Sequence, residues 1–350
     1  MELQHRLARQ AIDIAVSKGM EDMKSNAKRS IRNLVDLGLY FSKSDNQKQF
    51  FSVAQKVITN SRNPYHLLAT RMISNVDNTT IKKVGLNLGY TSLIYGANKL
   101  KKRQADLMFP VPWLLILDVL ESGSGFFQQM AHCIKEGQDL GIYSYIICPH
   151  EKGDILPLCE IAKRFDECLF ICKVSADLIS EKTAEALGRI HNAIISVQVT
   201  STDFAAAHSE ILEKAFRLLK QNRCLCGFHV RYNDENMGQV TAPEYIRSAI
   251  SLGNLFGLYI ADNGVSQQCK DTVYAFVCKE RGINGQPLIV LDWLQDMRYI
   301  SEKILSGDGY MKVNLAEIAY GEYKKAKDAL AGPLLETLRM LSSIRTCTTS

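Results

Sequence analysis

The chain has 350 residues, 46% hydrophobic and 23% charged, the balance of a globular protein large enough for one barrel-sized domain with an extension, or for two domains. No run approaches the roughly 18 apolar residues of a membrane span, and Glu2, Arg6, Arg9 and Asp13 interrupt any signal-peptide core, so the sequence predicts a cytoplasmic protein. The net charge of +5 is unevenly spread: residues 1–108 carry 18 Lys and Arg against 8 Asp and Glu, and the remainder 24 against 29.

In chain order, residues 7–102 read as helices. Ile31, Leu34, Val35 and Leu39 recur at helical spacing, as do Phe50, Val53, Ala54, Val57 and Ile58. Asn63-Pro64 starts a further helix with the proline in its first turn, and Asp77-Asn78 marks the break before a helix over Thr80–Lys102. The basic cluster Lys99, Lys101, Lys102 and Arg103 suits the C-terminal end of that helix dipole; an acidic or phosphate contact is the alternative. Gly85-x-x-x-Gly89 falls inside the helical pattern and lacks the Lys-Ser/Thr tail of a phosphate loop.

The rhythm changes at Phe109-Pro110-Val111-Pro112. Short apolar runs at Trp113–Val119, Ser144–Cys148, Cys168–Val174, Ala193–Val199, Cys226–Arg231, Gly257–Ala261 and Leu288–Asp292 alternate with amphipathic helical text. The helical patterns are Phe126–Leu140, Ile155–Phe165, Ser180–Gly188, Asp203–Gln221, Ala242–Leu252 and Gln267–Arg281. Buried strands alternating with helices predict a parallel sheet joined by crossovers, here a partial or full (β/α) barrel of the TIM or aldolase type. After Asp292 comes a turn-rich segment around Ser306-Gly307-Asp308-Gly309, then text that reads as helix to Ile344. The organisation is a helical region over 1–108, a barrel over 109–300 and a C-terminal extension over 301–350.

In such a barrel the chemistry sits at the C-terminal ends of the strands. Those positions hold Asp118, Glu121, His150, Glu151, Asp154, Lys173, Ser175, Gln198, Thr200, Arg231, Asp262 and Asp292. None of them forms a triad, a metal-ligand spacing or a phosphate loop. The ten cysteines contain no C-x-x-C pair, and the closest, Cys168/Cys172 and Cys224/Cys226, lie in strand-like apolar text, as small buried hydrophobes do.

The text from about 110 to 345 resembles radical S-adenosylmethionine proteins. Trp113-Leu-Leu-Ile-Leu-Asp118 is similar to their first barrel strand, and Gly137-Gln-Asp-Leu-Gly-Ile-Tyr-Ser-Tyr-Ile-Ile147 to the helix leading into the second. Leu158–Phe170, Ser175-Ala-Asp-Leu-Ile179 and Ile195-Ser-Val-Gln198 continue the likeness, and the helical N-terminal region with Pro110-Val-Pro-Trp113 resembles one bacterial subgroup with a SPASM-like C-terminal extension. The resemblance implies a [4Fe–4S] cluster held by Cys-x-x-x-Cys-x-x-Cys after the first strand, with S-adenosylmethionine on its fourth iron. Here that stretch is Leu120-Glu-Ser-Gly-Ser-Gly125, with no cysteine. The Gly-Gly-Glu-Pro backbone cradle for the cofactor's methionyl group is replaced by Cys148-Pro149-His150-Glu151, in which proline removes a donor and the φ freedom of glycine. The extension, Ile300–Tyr310 and Glu317-Ile-Ala319, also lacks the subgroup's cysteines.

The expected protein is therefore a degenerate barrel of this kind, a pseudoenzyme without iron–sulfur cluster, S-adenosylmethionine or other metal. It would act as a binding or accessory partner, of an active homologue or of a peptide or protein client. The N-terminal charge excess favours an acidic contact, though it could equally hold the chain's own two regions together; nucleic acid and membrane are not expected. The alternatives are a cluster site of atypical ligands, or an enzyme using His150, Glu151, Asp154, Lys173, Arg231 and Asp262 for acid–base work, with a strand-end lysine such as Lys173 forming a Schiff base if its pKa is lowered.

Overall fold

A computed structural model describes residues 2–42, 45–60, 64–107, 109–119, 126–149, 153–204, 209–282, 285–304, 309–314 and 333–348. Eight parallel strands form one curled sheet: β1 (Leu114–Asp118), β2 (Ser144–Cys148), β3 (Leu169–Val174), β4 (Ala193–Val199), β5 (Cys226–Tyr232), β6 (Phe256–Ala261), β7 (Ile289–Asp292) and β8 (Tyr310–Asn314). Their order is β7-β6-β5-β4-β3-β2-β1-β8, a half-barrel of the TIM type with helices around it. Between the strands run α6 (Phe126–Leu140), α7 (Leu156–Arg164), α8 (Glu181–Gly188), α9 (Glu210–Gln221), α10 (Met237–Val240), α11 (Pro243–Ser251), α12 (Gln267–Glu280) and α13 (Trp293–Ile304), with α14 (Pro333–Thr348) last.

Which side of each strand faces the helices is set by period-2 alternation and marked by hydrogen bonds. The Tyr145 hydroxyl donates to the Ile134 carbonyl of α6, and Tyr259 donates to the Val240 carbonyl, so these rings point outward. Leu115, Leu117, Ile147, Phe170, Val197, Phe228 and Val230 share that fully buried side. Phe228 meets Phe204 and Tyr245 edge-on there. Glycines admit the aromatics of neighbouring strands: a Cβ on Gly257 would stand 2.4 Å from the Phe228 ring, and one on Gly227 would stand 2.3 Å from the Phe256 carbonyl oxygen.

The N-terminal helices close the barrel's N-terminal end. They are α1 (Glu2–Phe41), α2 (Asp45–Thr59), α3 (Tyr65–Asn75), α4 (Asn78–Gly85) and α5 (Ala97–Leu107), the last two joined without a break by a π-helical stretch, Leu86–Gly96. Leu68, Val76 and Val84 bury against Leu169, Leu225 and Leu255 at the strand starts. Arg71 donates to three backbone carbonyls, Pro287 at 2.6 Å, Asn254 at 2.8 Å and Ile250 at 3.2 Å. Asn87 donates to the carbonyls of Asp166 and Cys168, and its own amide oxygen accepts from Arg9. Lys83 pairs with Asp166, Arg9 with Glu167, and Lys99 with the Gln138 carbonyl at the end of α6. Part of the basic excess of residues 1–108 is thus spent on the chain's own barrel. Asp77 caps α4 by accepting from the Thr79 and Thr80 amides, as its place before the helix predicts.

The sequence reading departs from the structure at the C-terminal end. Residues 310–314 form β8, which pairs with β1 in register, Leu114 with Tyr310 through Asp118 with Asn314. The strand alternates, Met311 and Val313 buried against the helices and Lys312 exposed, but five residues beside a turn-rich stretch carry too little text to separate a strand from a helix. Helix α13 follows β7 directly, and its Trp293 ring meets Tyr310 of β8 edge-on. Among the described residues no helix is long and apolar enough to cross a membrane.

Candidate functional site

The side of the strands turned from the helices carries, at its C-terminal end, a polar row set by register. Asn314 lies beside Asp118, and Asp118 beside Cys148. Cys172 pairs with Ile195 and Lys173 with Ser196, while the β2–β3 pairing of Ile147 with Cys172, carried on one residue, puts Cys148 next to Lys173. Ser196 lies beside Gly227, and the next layer holds Gln198 beside His229. Arg231 follows two residues beyond His229 on the same side.

Two ion pairs bracket this row. Lys312 donates to Asp118 at 2.6 Å, and Arg231 Nε donates to Asp262 at 2.6 Å. Asp262 also accepts from the Asn233 amide at 3.3 Å. Between them His229 is buried, with Nδ1 3.0 Å from the Ser196 hydroxyl. Burial, with Lys173 as the next cause, pushes its pKa down to about 3, so the imidazole is neutral at physiological pH. Burial also lowers the pKa of half-buried Lys173, and the Arg231 and Lys312 charges add to that while Cys148 and Asp118 oppose it. The Cys148 thiol is pushed up by its burial.

The other candidates scatter. Asp154 caps the start of α7 by accepting from the Leu156 amide, and is exposed. Thr200 is tied to Asp203 and Thr202 beside the mouth. The Ser175 hydroxyl is buried without a hydrogen-bond partner among the described residues. Asp292, expected at the mouth, lies on the opposite side: it accepts from the Tyr232 hydroxyl at 2.8 Å and from the Gln295 amide, within a network completed by Arg281 and Asp296. Its parity, one residue past lumen-side Leu291, sends it toward the helices. His150, Glu151 and Glu121 lie outside the described residues. His229, Ser196 and Lys312 were not singled out from sequence. The phase of Arg231 within Cys-Gly-Phe-His-Val-Arg-Tyr was the signal that could have found His229.

A [4Fe–4S] cluster needs three thiolates converging beside β1. Among the described cysteines only Cys148 reaches the mouth. Cys172 and Cys226 sit on the helix side, with thiols pushed up to about 12 by burial. Cys133, Cys159, Cys168, Cys224 and Cys269 are buried on separate elements, and Cys278 is exposed on α12. Among the described residues no three His, Cys, Asp or Glu side chains are placed to hold a metal ion. The described residues do not fit the cluster. Pro149, which the resemblance sets at the glycine cradle, offers no amide donor.

No protein-family model and no curated protein sequence matches the chain. Among solved structures it is similar to Streptococcus suis SuiB bound to S-adenosylmethionine, at 12% identity over 70% of this chain and 67% of that chain, with a TM-score of 0.46. SuiB bound to the precursor peptide SuiA gives 11% identity over 70% and 68%, with a TM-score of 0.48. The tryptophan synthase alpha chain of Legionella pneumophila subsp. pneumophila gives 13% identity over 72% and 95%, with a TM-score of 0.34. The barrel assignment rests on strand order and register, not on these likenesses.

Proposed function

We propose that this chain is a barrel of the radical S-adenosylmethionine type that has lost its cluster chemistry and serves as a binding, accessory partner, of an active homologue or of a peptide or protein client. The observation that carries the reading is the composition of the mouth. The stretch after β1 that would supply three soft ligands, Leu120–Gly125, holds no cysteine, and along the described mouth Asp118 is tied to Lys312, Arg231 to Asp262, and Cys148 is the one described thiol within the row. Hard carboxylates and ammonium groups in ion pairs are poor iron–sulfur ligands.

The N-terminal region offers the contact surface. Arg9, Arg71, Lys83 and Lys99 are engaged with the barrel, whereas Arg6, Lys18, Lys56 and Lys102 are exposed. Charge complementarity of this kind speeds and orients association more than it adds affinity, and weakens with salt. The test is co-purification of the full chain from its native source at rising salt, beside a variant carrying Arg6→Glu, Lys18→Glu, Lys56→Glu and Lys102→Glu. The expected result is one protein recovered by the parent, released by salt and lost from the variant. Equal recovery by the variant would overturn the contact, and recovery of no protein would overturn the partner reading.

A further inference from the structure

Lys173 stands out in the barrel mouth. It is half-buried on the lumen side of β3, between Cys148 and Ser196 in the cross-strand row. Among the described residues it makes no hydrogen bond and no ion pair, although a lysine that gives up water ordinarily gains one. Its neighbours are cations already engaged: Arg231 spends only Nε on Asp262, and Lys312 spends one donor on Asp118. A guanidinium has five donors and an ammonium three, so donors remain on both sides. Among the described residues three cations, Lys173, Arg231 and Lys312, face two carboxylates, Asp118 and Asp262. The balance closes in two ways that reinforce each other: Lys173 loses its proton, or an anion enters.

We propose that Lys173 is a nucleophilic amine that forms an imine with a small 2-oxo acid, whose carboxylate is held by the unused donors of Arg231 and Lys312. The nitrogen lone pair attacks the carbonyl carbon, a C–N bond forms and the carbonyl π pair moves to oxygen. The carbinolamine then loses that oxygen as water, with both protons coming from the original amine, and leaves a C=N bond. No oxidant, reductant or metal enters. The attack requires the free amine, and the lowered pKa of Lys173 raises its fraction: burial is the main cause and the Arg231 and Lys312 charges add to it. Ser196 and the neutral His229 bonded to it stand on the β4–β5 side of the amine, able to hydrogen-bond the departing oxygen. The site depends on the mouth and not on a partner protein, so failure of either reading leaves the other standing.

The experiment incubates the full-length protein with pyruvate and sodium cyanoborohydride, which reduces an imine to a stable secondary amine. Intact mass and peptide mapping then locate the adduct. The expected result is saturable labelling of Lys173 severalfold above exposed Lys182 and Lys214, since a lowered lysine pKa raises the free-amine fraction and a bound carboxylate makes the labelling saturable. Lys173→Arg, which keeps the charge, should lose the saturable adduct while melting near the parent temperature. Arg231→Gln with Lys312→Gln should lower labelling by pyruvate several-fold more than labelling by hydroxyacetone, which has the carbonyl without the carboxylate and feels only the change in the Lys173 amine. Labelling of Lys173 no greater than that of the exposed lysines overturns the nucleophile. Equal labelling by pyruvate and hydroxyacetone in the parent overturns the 2-oxo acid.

Discussion

Replacing His229 by Gln should remove a specific part of the protein's acid sensitivity. The imidazole is buried on β5 with Nδ1 on the Ser196 hydroxyl, and its pKa in the fold is held down to about 3 from its ordinary 6.5. The unfolded chain therefore binds a proton on this residue well before the folded chain does. The contribution is fully present above the unfolded value, and stability is lost as pH falls from about 6.5 toward 3. At pH 5 protonation favours the unfolded chain by about 2 kcal/mol through this one group, against about 0.2 kcal/mol at pH 7. Gln keeps a hydrogen-bonding group toward Ser196 and does not titrate. Urea unfolding of parent and His229→Gln at both pH values isolates the effect, because all other titrating groups are common to the pair. Whatever the substitution costs at pH 7, the variant should gain about 2 kcal/mol on the parent at pH 5. A parent–variant difference that is the same at both pH values would refute a buried neutral imidazole.

Gly96→Ala should destabilise the fold by about 1–2 kcal/mol in chemical denaturation, because its Cβ would stand 2.5 Å from the Gly141 carbonyl oxygen, a backbone clash that outweighs the helix propensity gained; an equal or higher stability would show that the two segments part freely. Removing residues 2–107 strips the cover from Leu169, Leu225 and Leu255, so the shortened chain should lose its cooperative thermal transition and aggregate, and a sharp, reversible melt would contradict the plug. Calorimetry with S-adenosylmethionine should show no saturable micromolar binding; saturable heat at that concentration would mean that the mouth keeps a cofactor site despite Pro149.

The barrel was legible because fully buried parallel strands announce themselves. The apolar runs Ser144–Cys148 and Ala193–Val199 coincide with β2 and β4 to the residue. Strand β8 was not legible, since Tyr-Met-Lys-Val-Asn has only two residues facing the helices. The continuous helical text of Thr80–Lys102 hid the π-helical stretch Leu86–Gly96, whose residues are mostly buried and break the helical pattern nowhere. At the site, Lys173 and Arg231 were visible as charges at strand ends. Their relation to Ser196, His229 and Lys312 is a matter of register between strands far apart in the chain, and no local pattern records it. Asp292 was misplaced for the same reason: a one-residue difference in phase decides between the mouth and the helix layer. The basic excess of residues 1–108 was real, but composition alone could not say that Arg9, Arg71, Lys83 and Lys99 dock on the barrel itself.

The central claim is that the mouth holds ion pairs and a neutral histidine and brings together no set of cluster ligands. Anaerobic reconstitution of the full chain with iron and sulfide, followed by iron and sulfide analysis and Mössbauer spectroscopy of the desalted protein, measures this directly. The account predicts iron well below one cluster per chain and no [4Fe–4S] doublet. A stoichiometric [4Fe–4S] signal that is lost on substituting Cys148 would contradict it.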